Sequence, residues 1–153
     1  MNLLDELRED AEQARRQAEK VLAIPGSRFA VRFTPPRRDR LDPFLAAYRT
    51  GQLTETDEVQ FIVDCHDEIL RRDGQGGGEP ADPDGGPWRF DASDLRWDLG
   101  EHGNAHQCVK RLYRHEDQPL VVSNHVEALV LWLGGLDAEN ARRAEGKSNG
   151  AVT

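Results

Sequence analysis

Apolar positions recur along this chain with two different periods. Between Thr54 and Arg72, Val59, Ile62, Val63, Ile69 and Leu70 return at three- and four-residue steps. That spacing predicts a helix over 54–72 with these residues on one side. His66 falls on the same side, and Phe61 and Cys65 form a second apolar row, so the face is wide enough to pack on more than one flank. Thr54 is the expected N-cap, with Asp57 as the acid of a capping box. Asp73-Gly74 is the expected stop. The second period is two. In Arg28–Thr34, Phe29, Val31 and Phe33 alternate with Arg28, Ala30 and Arg32. This reads as a strand with one buried and one wet, basic face.

The other segments follow the same rules. Leu3, Leu4, Leu7, Ala11, Ala14, Ala18 and Val21 keep a thin stripe over a first helix at 2–22. So narrow a stripe leaves that helix peripheral to the body or waiting for a partner. Leu41, Phe44, Leu45 and Tyr48 mark a short helix, with Pro43 in its first turn and Gly51 after its end. Asp73 to Pro87 is glycine, proline and acid; it reads as a mobile loop, dispensable for folding, with nothing buried. Residues 88–90 (W-R-F) either pair with 69–72 as a hairpin or add to the strand at 28–34. Asn104 and Gln107 cap a helix over 104–114 that turns Cys108, Val109 and Leu112 inward. Asn124 with Glu127 opens the last helix, with Val126, Leu129, Val130, Leu133 and Leu136 on its inner face. Leu131 and Trp132 lie off that face, so this helix is either buried all round or presents apolar surface. Residues 144–153 are small and polar and read as a flexible tail. The fold class is therefore α+β: one mostly helical domain over 1–143 with one small antiparallel sheet, built from 28–34 and 88–90. The expected core is Phe33, Phe44, Leu45, Ile62, Val63, Ile69, Val130 and Leu133.

Composition narrows the function classes. The chain has 153 residues, 37% apolar and 31% charged, with a formal charge of −8. That suits one modest core with polar ends. An acidic chain lacks the clustered Lys and Arg that nucleic acid needs, and gains nothing from an anionic membrane surface. The N-terminus is charged from residue 5, and the longest apolar run, 128–133, is too short to cross a bilayer. A soluble, intracellular protein is expected. Cys65 and Cys108 fit reduced core thiols, with a disulfide between them as the alternative.

Candidate chemistry is sparse. Zinc would accept His102, His106, Cys108, Cys65 and His66, but their spacing matches no strong zinc pattern. Cys65 and His66, as helix neighbours, point about 100° apart and cannot form a nucleophile pair. Asp64, Asp67 and Glu68 fit the solvated side of an amphipathic helix. Gly76, Gly78 and Ala81 lack the strand and helix that a dinucleotide loop needs. Gly146-Lys147-Ser148 lacks the first glycine and the strand of a phosphate loop. Arg28, Arg32, Arg37, Arg38 and Arg40 form the one basic cluster: an ordinary wet strand face, or a contact for an acidic segment. No catalytic residue, metal or cofactor is expected.

Several stretches occur in a familiar order: P-G-S-R-F-A-V-R-F-T-P-P, D-P-F-L-A-A-Y, F-I-V-D-C-H-D-E-I-L-R-R-D-G, P-W-R-F-D and N-H-V-E-A-L-V-L-W-L-G-G-L-D-A-E-N. In layout this chain resembles the tail assembly chaperones of long-tailed phages of actinobacteria. The resemblance implies a non-enzymatic protein of the host cytoplasm. It would bind the helical tape-measure protein, keep it soluble while the tail tube polymerises, and then be shed. It also implies a longer form made by ribosomal frameshifting. A structural part of the virion, such as a connector or tail-completion protein, is the alternative. Surplus apolar surface nominates Leu3, Leu7, Ala11, Ala14, Leu131 and Trp132 as partner-binding residues, for a helical partner and for further copies of the chain.

Overall fold

The computed structural model describes residues 2–72 and 78–152. Its elements run α1 (Leu3–Gln17), β1 (Lys20–Ala23), β2 (Phe29–Phe33), α2 (Arg38–Arg49), α3 (Glu55–Cys65), β3 (His66–Arg71), β4 (Glu79–Pro80), α4 (Ala105–Leu112) and α5 (Leu120–Val152). A 3₁₀ turn covers Leu95–Trp97. The fold is α+β: among the described residues, five helices and one four-stranded sheet in the order β1-β2-β3-β4, every neighbouring pair antiparallel.

The helix expected over 54–72 is half helix and half strand. Its start follows the sequence: the Thr54 hydroxyl accepts from Asp57 N–H, and the Asp57 carboxylate accepts from Thr54 N–H, closing the capping box. It stops at Cys65, well before Asp73-Gly74, and residues 73 and 74 lie outside the described residues. From His66 the chain extends and pairs with β2, with Ala30 opposite Leu70 and Val31 opposite Ile69. Ile69 and Leu70 fit either period; pairing with a strand 35 or more residues away in sequence decides between them. The register slips between Arg32 and Phe33. This bulge lets two successive acids of β3 reach one arginine: Arg32 Nε donates to Asp67 at 2.9 Å and Nη2 to Glu68 at 2.7 Å. Both acids were expected on a solvated helix face; they sit on a strand, and Glu68 is buried.

The first helix is also shorter than its stripe suggests. It ends at Gln17, and Lys20–Ala23 pair with β2 instead, Lys20 opposite Phe33 and Ala23 opposite Ala30. Residues 88–90 are not a strand; the sheet partners of β2 are β1 and β3. They run beside β3 all the same, since Trp88 C=O accepts from Ile69 N–H at 2.8 Å. The loop after β3 is more structured than its composition implies. Glu79 and Pro80 pair with Arg71 and Leu70, and Ala81 is buried.

The remaining helices follow their spacing. In α2, Leu41 and Phe44 are buried; in α4, Cys108, Val109 and Leu112. Asn104 and Gln107 close a second capping box. The last helix starts at Leu120, four residues before Asn124, because Val121 and Val122 already belong to the core. Its backbone stays helical through the segment read as a tail, to Val152. Five of the eight expected core residues are buried: Phe33, Phe44, Ile62, Ile69 and Leu133. Leu45, Val63 and Val130 are partly buried and pack against that cluster.

Candidate partner-binding surface

The residues with chemistry to offer are mostly satisfied by their own chain. His66 ends α3 and starts β3. Its Nδ1 lies 2.5 Å from Val63 C=O, and its Nε2 accepts from Phe90 N–H at 3.1 Å. A carbonyl only accepts, so the proton sits on Nδ1. The ring is neutral and fully bonded; burial pushes its pKa down to about 4. His125 on α5 is held in the same way. Its Nε2 donates to Ala23 C=O of β1 at 3.1 Å, and its Nδ1 accepts from the Tyr113 hydroxyl at 2.8 Å. Burial lowers its pKa as well. No sequence pattern marks this pair, because His125 meets partners 12 and 102 residues away. The step from Val122 through Val126 to Leu129 was the available sign that the helical face extends upstream of Asn124.

The other candidates separate in the same manner. His106 Nε2 lies 2.7 Å from Gln60 Oε1, and His115 Nε2 lies 3.1 Å from Glu55. Lys110, the larger influence, and His115 together hold the Glu55 carboxyl below its usual range. Cys65 and Cys108 are free and buried. Burial raises both thiols, Cys108 to about 11, and leaves them poor nucleophiles. Among the described residues, no three His, Cys, Asp or Glu side chains gather as a metal would require. The arginine cluster is largely neutralised within the chain: Arg32 by Asp67 and Glu68, Arg37 by Asp39, Arg38 by Asp42 and Asp137.

A shallow cleft of about 260 Å³ lies between α2 and α3. Its floor is the stacked pair Phe44 and Phe61, with ring centroids 3.7 Å apart. Its acids already have partners. Asp39 holds Arg37, Asp57 caps α3, and Asp64 accepts from Gln60 at 2.9 Å. The cleft therefore offers no nucleophile next to a base and no group free to move a proton.

What stands out is apolar surface. Leu3, Leu4 and Leu7 are 70%, 65% and 55% exposed on α1, and residues 2–10 are exposed throughout. No element of the body packs extensively along this helix among the described residues. Ala11 and Ala14 lie on the α1 backbone, but their side chains fall outside the described residues. Leu131 is 70% exposed on the outer side of α5. Trp132 is not its companion there. It is partly buried and packs against the core, because one step along a helix turns it back toward the flank shared with Leu129 and Leu136. Of the six nominated residues, Leu3 and Leu7 are exposed on α1 and Leu131 on α5, while Trp132 packs against the core. No described helix is long and apolar enough to cross a membrane. Compared with known proteins, the chain matches no family model, no curated protein and no solved structure.

Proposed function

We propose that this chain is a non-enzymatic phage tail assembly chaperone of the host cytoplasm, which binds the tape-measure protein and keeps it soluble during tail assembly. The observation that carries this reading is unpartnered apolar surface on an acidic body: Leu3, Leu4 and Leu7 on α1 and Leu131 on α5, on a chain of net charge −8. Exposed leucines on helices suit capture of another helix, and a surplus of negative charge keeps the carrier apart from its own kind of aggregate. His66, His125 and the acids of the cleft are bonded within the chain and both thiols are buried, so none of them gives competing support for catalysis. Leu3, Leu7, Ala11 and Ala14 of α1, with Leu131 of α5, are assigned to helical partners, including other copies of the chain.

Co-expression with the tape-measure protein of the same genome tests this. A client that stays soluble and co-purifies only when this chain is present supports the reading. A client equally soluble alone, with nothing co-purifying, refutes it. Purified particles supply the second check: a chaperone is absent from them, whereas a connector or tail-completion protein is present.

A further inference from the structure

We infer that the outer face of α5 pairs with the same face of a second copy, antiparallel, about a two-fold axis at the Gly134–Gly135 bond. This deepens the proposed function by giving Leu131 to self-association and leaving α1 for a client, but it stands on separate observations. Three of them concern the same stretch of helix. First, Leu131 projects from α5 with 70% of its surface exposed, three residues before Gly134. Second, Gly134 and Gly135 lie in mid-helix, where glycine weakens a helix relative to alanine. A Cβ at either would meet nothing within 4 Å, so packing within the chain does not require their small size. Third, Glu127 and Arg142 are both exposed and of opposite sign, and they stand seven residues before Gly134 and seven after Gly135.

An antiparallel partner brings these features into register. Each Leu131 comes opposite Ala138 of the other copy and seats in the notch left by the glycines. Each Glu127 comes opposite Arg142 of the other copy, so the charges match twice. With Gly134 and Gly135 between them, Glu127, Leu131, Ala138 and Arg142 recur on the outward side of the helix at three- and four-residue steps. A parallel pair would set Glu127 against Glu127 and Arg142 against Arg142. The face is therefore complementary to itself in one orientation only, as an isologous interface must be. A single helix pair buries little area, below the ~1,200 Å² of stable complexes, so the expected dissociation constant is on the order of tens of micromolar.

Sedimentation equilibrium of the full chain tests the pairing without any client, so its failure and that of the client reading are distinguishable. The wild-type chain is expected to pass from monomer to dimer with concentration. Gly135→Leu should abolish the dimer while the monomer stays folded, since the new side chain meets open space in a single copy. Glu127→Arg and Arg142→Glu should each weaken the dimer about tenfold, because each turns two attractions into two repulsions. A one-to-one mixture of these two variants should recover the wild-type affinity, as the reversed charges then meet their opposites. A wild-type chain that is monomeric at ~1 mM overturns the inference, well above the affinity expected for an interface of this size. So does a dimer indifferent to Gly135→Leu or to either reversal, or a mixture that fails to recover.

Discussion

Acid should unfold this protein through His66 before its carboxylates titrate. The neutral ring bridges the end of α3 and the segment at Phe90, with Nδ1–H on Val63 C=O and Nε2 accepting from Phe90 N–H. A proton on Nε2 would face that N–H donor. In the unfolded chain the ring titrates near 6.5; in the fold its pKa is pushed down to about 4. Between these values the unfolded state holds one proton more than the folded state. Stability is then fully present above pH 6.5 and falls as the pH drops through the window toward 4. The slope is about 1.4 kcal/mol per pH unit, so roughly 2 kcal/mol disappears between pH 6.5 and 5 and about 3 by pH 4. His125, lowered in the same direction, adds to the slope. Urea denaturation at pH 7, 6 and 5 measures the effect, with His66→Gln as the control. Glutamine offers an amide donor and an acceptor at that position but no titration. The variant should lose about one proton's worth of slope in the same window. If it kept the full wild-type slope, His66 would not be the group that couples protonation to unfolding, and the assignment of its proton to Nδ1 would lose its consequence.

Four further outcomes are expected. Ile62→Ala, at a site with no exposed surface, should cost about 2–5 kcal/mol in denaturant unfolding; a loss under about half a kcal/mol is the mark of a surface site. Tyr113→Phe removes the donor to His125 Nδ1 and should cost about 1–3 kcal/mol, read by thermal melting, with no change in the sheet signal of the folded state. Cys65 and Cys108 should stay unreactive toward a thiol reagent at neutral pH until denaturant is added, and rapid labelling of the native chain would contradict their burial. Trp132→Ala should lower stability by roughly half of the ~3–5 kcal/mol of a fully buried tryptophan, since its ring is only partly buried against the core; a melting curve unchanged from wild type would place the ring on the outer face instead.

The sequence by itself determined the features that are local. Both capping boxes, Thr54 with Asp57 and Asn104 with Gln107, close between residues three apart, so their side chains meet wherever the helix goes. The inner faces of α2, α4 and α5 were legible from their spacing. So was β2, because Phe29, Val31 and Phe33 alternate over enough residues to exclude a helix. Leu131 was legible as surplus, since the inner face of α5 is complete without it. The tertiary structure alone decided β1 and β3. Val21 and Leu22, like Ile69 and Leu70, are short apolar runs compatible with either period, and each continues a helical stripe. They become strands because β2 offers both its edges, and no local signal carries that partnership. The bulge that sets Asp67 and Glu68 on Arg32, and the bond from His125 to Ala23, join residues 35 and 102 apart in sequence. Contacts of that range depend on how the chain closes on itself, and a periodicity read within a dozen residues does not contain them.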